Sequence, residues 1–175
     1  MQEGLIMENF SARRITRIGL IAAIYVVITL IGAPLAYQSV QFRVSEAMML
    51  LCFYNRDHIA SLSIGCFIAN IFSTVGAIDT VVGTSATVLA GICIYLLRKE
   101  GSSSRLLLCS LFPVVFNAVF VGAEITILSP TPVSFWLMAA YVALGEFVCV
   151  TIVGTTLFKL LERNKEFMKI VTTKY

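Results

Sequence analysis

The chain has 175 residues, of which 58% are hydrophobic and only 13% are charged, and its formal net charge is +3. This composition excludes an ordinary soluble domain and indicates an integral membrane protein, whose length allows one helical bundle at about 20 residues per span. The positive charge does not indicate nucleic-acid binding, because that function requires basic residues gathered on a soluble face.

Hydropathy and stop signals predict an all-α membrane bundle of six transmembrane helices. Clusters of glycine and proline, such as those at residues 32–34 and 129–132, separate the apolar runs. The predicted spans cover about residues 15–32, 44–54, 59–74, 80–97, 106–128 and 133–161. Residues 1–175 then form a single membrane domain, in which residues 162–175 are a mixed-charge cytoplasmic tail that we interpret as a solvated extension of the last helix.

The basic residues indicate how this bundle is oriented. In a six-span arrangement, every Lys and Arg residue except Arg43 falls on the side that also holds both termini. The positive-inside rule makes that side cytoplasmic. Five or seven spans would scatter the same residues over both sides of the membrane. The sequence therefore predicts a multi-pass protein of the cell membrane with both termini in the cytoplasm.

The stretch from Gln41 to Ala47 carries a pair of charges at the start of an apolar run. Arg43 and Glu46 are three residues apart, and they share one face if the run is helical. Charges at membrane depth are costly, so they normally face a protein interior or a water-filled cavity. We interpret the pair as the rim of a ligand pocket, with an interfacial ion pair as the structural alternative.

Three further acids and two amides accompany this pair in the outer half of the predicted bundle. The acids, including the first, are Glu46, Asp79, Glu124 and Glu146, and the amides are Asn70 and Asn117. Structural interpretations stay open for some of them, since Asp79 suits a helix N-terminus and the amides suit interhelical hydrogen bonds. Glu124 and Glu146 are the hardest to explain in that way and point to function.

Such a cluster suits a binding pocket better than a catalytic centre. The single histidine, His58, is predicted to lie in a turn on the opposite side, and no HExxH, GxSxG or CxxC motif occurs. We therefore expect no enzyme activity, no metal and no cofactor. Planar heterocycles with N–H donors match the cluster, because a carboxylate accepts two parallel hydrogen bonds from an amidine-like edge. The excess of acid over base also favours a ligand that carries an amine.

Several motifs resemble those of the queuosine-precursor transporter (QueT) family, whose members are membrane-embedded S components of energy-coupling factor (ECF) transporters. The resemblance rests on QFRVSEA at residues 41–47, on IGCFIANIFSTVGAIDTVVGTSATVLAG at residues 64–91 and on GEF at residues 145–147. It also includes Pro113, Asn117, Gly122 and Glu124 in the fifth predicted helix. The resemblance extends over roughly residues 14–161, which is nearly all of the predicted spanning region.

The resemblance implies a ligand and a set of partners. Such an S component captures a deazaguanine base with an aminomethyl or nitrile arm outside the cell. An ECF transmembrane coupling subunit and two cytoplasmic ATPases supply the energy, and this chain has no P-loop motif of its own. The first helix presents small residues to the coupling subunit, here Gly19, Ala22 and Ala23.

The candidate ligand-binding residues are then Glu46, Asp79, Asn117, Glu124 and Glu146, with Arg43 as an orienting group and Asn70 beside them. The loop from Ala33 to Phe42 is the expected lid. Two other functions stay open: an S component for another vitamin-like solute, and a stand-alone proton- or cation-coupled carrier with the acids as relay groups.

Overall fold

A computed structural model describes residues 2–36, 42–73, 75–99 and 101–173, and every regular element in these residues is a helix. The α-helices are α1 (Gln2–Ile31), α2 (Ala33–Ala36), α3 (Asp57–Ile71), α4 (Ala77–Leu97), α5 (Ser103–Cys109), α6 (Leu111–Leu128), α7 (Phe135–Glu146), α8 (Thr155–Leu161) and α9 (Lys165–Thr172). A 3₁₀-helix covers Val44–Phe53, and a π-helix covers Phe147–Gly154. The predicted all-α class is confirmed.

Four helical segments of the described chain are long and apolar enough to cross a membrane. They are Ala12–Ile31, Ala77–Leu97, Ser103–Leu128 and Phe135–Leu161, and they coincide with the first, fourth, fifth and sixth predicted spans. The remaining two predicted spans coincide with shorter apolar helices, Val44–Phe53 and Asp57–Ile71. The last long segment is continuous because the π-helix joins α7 to α8 without a break.

The 3₁₀-helix is the most enclosed of these elements. Eight of its ten residues are buried, and it packs against α1, α3, α4 and the π-helix. A 3₁₀-helix rises about 2.0 Å per residue instead of 1.5 Å, so this short segment extends over about 20 Å. Residues three apart are eclipsed in it, which places Arg43, at its N-cap, and Glu46 on the same side.

Glycines allow the helices around this element to approach closely. A methyl group added to Gly65 of α3 would lie 2.9 Å from the Tyr25 Cβ and 3.0 Å from the Ala22 carbonyl oxygen of α1. A methyl group added to Gly122 of α6 would lie 2.9 Å from the Ala139 Cα of α7. Because these glycines have no side chain, the backbones can approach closely, which favours the van der Waals packing that stabilises membrane helices.

The predicted solvated extension of the last helix is wrong. The helix ends at Leu161, and the Asn164 side chain caps the new helix α9 by accepting hydrogen bonds from the Glu166 and Phe167 amides. Helix α9 is amphipathic and turns back onto the bundle, where Val171 is only 3% exposed. Its mixed charge therefore marks one polar face of a docked helix.

Several polar groups hold the end of α9 against α1 and α3. The Arg17 guanidinium donates to the Ile170 carbonyl at 3.1 Å and to the Thr173 carbonyl at 2.6 Å. The Asn55 amide donates to the Thr173 carbonyl at 2.8 Å. His58, which was predicted to lie in a turn, is buried in the first turn of α3, with its Nε2 atom 3.0 Å from the Val171 carbonyl. The middle of α1 and the end of α9 therefore meet.

Candidate ligand-binding site

The structure buries every polar side chain that the sequence nominated for ligand binding. Seven residues are involved, and none is more than 6% exposed: Arg43, Glu46, Asn70, Asp79, Asn117, Glu124 and Glu146. They come from the 3₁₀-helix with its N-cap and from α3, α4, α6 and α7. Because buried charges are unfavourable unless they are paired, the partners of each group determine what it can do.

Glu46 and Glu146, here called the acid pair, lie on elements that pack together, since the 3₁₀-helix that carries Glu46 contacts the π-helix that follows Glu146, and their carboxyl groups interact electrostatically. The Tyr25 hydroxyl of α1 donates to Glu46 Oε1, and the Asn117 amide of α6 donates to Glu146 Oε1 at 3.0 Å. The other two oxygens, Glu46 Oε2 and Glu146 Oε2, are buried and accept no hydrogen bond from the described residues. Each carboxylate therefore keeps one open acceptor.

Irregular helices position the acid pair. Glu46 lies in the first turn of the 3₁₀-helix, and Glu146 is the last residue of α7 before the π-helix. The two irregular helices pack together, and a methyl group added to Gly154 would lie 3.3 Å from the Ala47 Cβ. Departures from α-helical geometry of this kind often accompany functional sites, because they redirect neighbouring side chains.

Arg43 and Asp79 form an ion pair at the start of α4, with 3.6 Å between the Arg43 NH2 and Asp79 Oδ1 atoms. Asp79 lies in the first turn of α4, where the helix dipole favours a carboxylate. The Asn70 amide donates to the Asp79 backbone carbonyl at 3.2 Å and thereby joins the end of α3 to α4. The structure thus gives Asp79 and Asn70 structural contacts in addition to their place near the acids.

Glu124 has a different environment from the other acids. It is 6% exposed, and neither of its carboxylate oxygens has a hydrogen-bond partner among the described residues. It lies on an open groove of about 400 Å³ between α4 and α6, whose other lining residues are apolar and include Ile78, Val82 and Phe120. Glu124 is therefore a buried carboxylate with both oxygens open.

The charges of this region are unbalanced. The Arg43 guanidinium acts electrostatically on Glu46, Asp79, Glu124 and Glu146, so these four carboxyl groups share the charge of Arg43. A buried region with this composition is stabilised by an added cation or by donors that bind the open carboxylate oxygens.

Two contacts at this site were not found from the sequence. Tyr25 holds Glu46, and the Thr29 hydroxyl lies 2.6 Å from the Ser45 hydroxyl. Tyr25 and Thr29 are four residues apart and lie on one face of α1. Two hydroxyl-bearing residues at this spacing in an apolar span are a signal that could have indicated a polar contact inside the bundle.

The structure separates the small residues of α1 that were nominated for partner binding. Ala22 is 3% exposed and packs against Gly65 of α3. Gly19 and Ala23 are exposed, and a methyl group added to Gly19 would meet no described atom within 4 Å. Gly19 and Ala23 therefore lie on an open face of α1, and Ala22 lies on its packed face.

These observations define a multi-pass membrane protein with a buried polar site among its helices. A model of the QueT transporter family matches residues 15–163. The chain is also 30% identical, over 167 residues, to the queuosine precursor transporter QueT of Lactococcus lactis subsp. cremoris (strain MG1363), a match that covers 90% of this chain and 97% of the relative. The chain belongs to the QueT transporter family, which confirms the resemblance seen in its motifs. No solved structure matches it significantly.

Proposed function

We propose that the chain is the substrate-binding S component of an ECF-type importer and that it captures a queuosine precursor, a deazaguanine base, outside the cell. The observation that carries this proposal is the set of buried carboxylates with open oxygens in a member of a transporter family. The name of the Lactococcus relative, a queuosine precursor transporter, supports the choice of ligand.

The geometry of Glu124 suits the edge of a guanine-like base. A bidentate contact requires two free oxygens on one carboxylate, and Glu124 offers both. The N–H donors of an amidine-like edge would bind them in parallel, each bond contributing about 1.5–3 kcal/mol where water is excluded. Phe120 and the aliphatic walls of the neighbouring groove provide apolar surface for the ring.

The proposal includes a topology of six spans with both termini in the cytoplasm. The contacts of Arg17 with the Ile170 and Thr173 carbonyls support it, because they bring the start of the first span and the end of α9 to the same end of the bundle. The ion pairs of Arg14 and Arg17 with Asp57 support it further, because they bring the connection before α3 close to the start of the first span. An even number of spans agrees with these contacts.

Energy comes from partner subunits in this proposal: an ECF transmembrane coupling subunit and two cytoplasmic ATPases. The open face of α1 at Gly19 and Ala23 supports it, since exposed small residues four apart permit close approach of a partner helix. The loop from Ala33 to Phe42 is the proposed lid, and residues 37–41 of it lie outside the described residues.

Two measurements test the proposal. Calorimetric titration of the purified protein with deazaguanine bases should show saturable binding, whereas riboflavin and guanine serve as controls for other solutes. Uptake into vesicles should require the coupling subunit and the ATPases. Binding of riboflavin alone would indicate an S component for another vitamin-like solute. Uptake by the chain alone would contradict the S-component function and favour a proton- or cation-coupled carrier that uses the buried acids.

A further inference from the structure

The acid pair has two open hydrogen-bond acceptors, for which the described residues supply no donor. Tyr25 and Asn117 each occupy one oxygen of one carboxylate, which leaves Glu46 Oε2 and Glu146 Oε2 open. Both carboxylates are 1% exposed, so bulk water does not satisfy these oxygens. The Asn117 amide donates to Glu146 Oε1 at 3.0 Å, and the 3₁₀-helix that carries Glu46 packs against the π-helix that follows Glu146.

Among the described residues, the positive charge that acts on the pair is shared with other acids. Arg43 forms its ion pair with Asp79, and it also acts electrostatically on Glu124. Two buried carboxylates in one region repel each other, and a cation placed between them relieves both the repulsion and the open acceptors.

We propose that the acid pair binds a protonated amine on the side arm of the ligand, so that the protein selects amine-bearing deazaguanines over those with a nitrile arm. This inference rests on the proposed function, because it assumes a deazaguanine ligand. It assigns the base edge to Glu124 and the arm to Glu46 and Glu146.

The aminomethyl and nitrile arms differ in charge and in hydrogen-bond donors, and the acid pair interacts with both of these properties. An alkylammonium group has three N–H donors and a positive charge, and two of those donors match Glu46 Oε2 and Glu146 Oε2. A nitrile is neutral and has no donor, so it would leave both buried oxygens open and add an unfavourable contact between acceptors. A divalent metal is a poorer match, since no group of three or more His, Cys, Asp or Glu side chains in the described chain is arranged to hold one.

The division of the site into two parts supplies a matched control. Glu146→Gln keeps the shape of the side chain and removes one charge from the acid pair. Glu124→Gln makes the same change at the proposed base edge. Both acids are buried, and both lie in long apolar segments, so the two variants carry a similar risk to folding, which thermal unfolding in detergent measures.

The test is a titration of the wild-type protein and both variants with aminomethyl-deazaguanine and cyano-deazaguanine. We expect the wild type to bind the aminomethyl compound at least about 100-fold more tightly, because each of two charge-assisted bonds contributes about 10-fold or more. Glu146→Gln should reduce this preference by about 10-fold or more, because one of the two charge-assisted bonds is lost. Glu124→Gln should weaken both compounds by similar factors and keep the preference. Glu46→Gln provides a second variant of the acid pair if Glu146→Gln does not fold.

Three results would overturn the inference. The wild type could bind the cyano compound as tightly as the aminomethyl compound, or the preference could survive in both variants of the acid pair. Loss of the preference in Glu124→Gln alone would place the amine at Glu124 instead. If neither compound bound to the folded wild-type protein, the proposed function itself would fail, which distinguishes that failure from a wrong assignment of the arm.

Discussion

Two clusters of charge in this protein differ in how completely they are paired. In the terminal cluster, formed by Arg14, Arg17 and Asp57, both carboxylate oxygens of Asp57 accept hydrogen bonds from arginines at 2.6–3.0 Å. In the candidate ligand-binding site, neither oxygen of Glu124 has a partner among the described residues. A carboxylate whose oxygens are all paired stabilises the packing of helices, whereas an open one is available to a ligand. This difference indicates a stabilising role for the terminal cluster and supports the proposed binding role of Glu124.

The largest expected effect is on stability, from Asp57→Asn. This change removes the charge that Arg14 and Arg17 share in a position where the Asp57 side chain is 5% exposed. We expect the free energy of unfolding in detergent to fall by about 3–5 kcal/mol, the range for breaking a buried ion pair. Glu166→Gln, at an exposed site on α9, is the control and should change it little. A decrease of less than about 1 kcal/mol in the free energy of unfolding of Asp57→Asn would contradict the stabilising role of the terminal cluster.

The next effect is on binding, from Glu124→Gln. An amide has only one acceptor oxygen, so the bidentate contact with a deazaguanine edge is lost and affinity should fall about 10–100-fold. Stability should stay unchanged or increase, because the change removes an open buried charge. Calorimetric titration and thermal unfolding measure the two quantities. Unchanged affinity together with lower stability would show that Glu124 stabilises the fold, as Asp57 does, and does not bind the ligand.

A smaller effect on binding is expected from Tyr25→Phe. The phenylalanine keeps the ring that packs against Gly65 but removes the hydroxyl that holds Glu46. We expect about fivefold weaker ligand binding, equivalent to roughly 1 kcal/mol, as the carboxylate loses its fixed orientation. Tyr141→Phe is the matched control, because Tyr141 is 37% exposed on α7. Equal affinity of Tyr25→Phe and the wild type would show that Tyr25 does not position Glu46 for binding.

The smallest effect is expected from Arg14→Gln. The Arg14 side chain is 41% exposed, so solvent screens its ion pair with Asp57. We expect only a small loss in the free energy of unfolding, and a still smaller one at high salt. A loss as large as that of Asp57→Asn would mean that Arg14, rather than the buried Arg17, stabilises the terminal cluster.

The sequence predicted the helical class and the acids of the site for the same reason. Apolar runs identify membrane helices, and a charge such as Glu124 or Glu146 inside one stands out because it is costly there. The 3₁₀-helix and the π-helix were not predicted, since their geometry depends on close packing between Gly154 and Ala47, which hydropathy does not record. Tyr25 was missed because a tyrosine in an apolar span is equally typical of a core residue or an interface anchor.

Local composition also could not reveal which charged groups are paired. Asp57 and Glu124 are both acids in or beside apolar segments, yet only the fold brings Arg14 and Arg17, forty or more residues earlier in the chain, to Asp57. The docking of α9 was missed for a similar reason. Its mixed charge suggested a solvated helix, and the carbonyl groups that Arg17 binds are present in any sequence.

Helix α1 has one further property that follows from its contact with Gly65. The Tyr25 ring and the Ala22 backbone lie so close to α3 that the inner face of α1 cannot move closer to α3. The same tyrosine holds a carboxylate of the acid pair, and Gly19 and Ala23 on the outer face are open. A partner that binds the outer face and rotates or translates α1 would therefore displace the Tyr25 hydroxyl. The hydrogen bond that orients Glu46 would change with it.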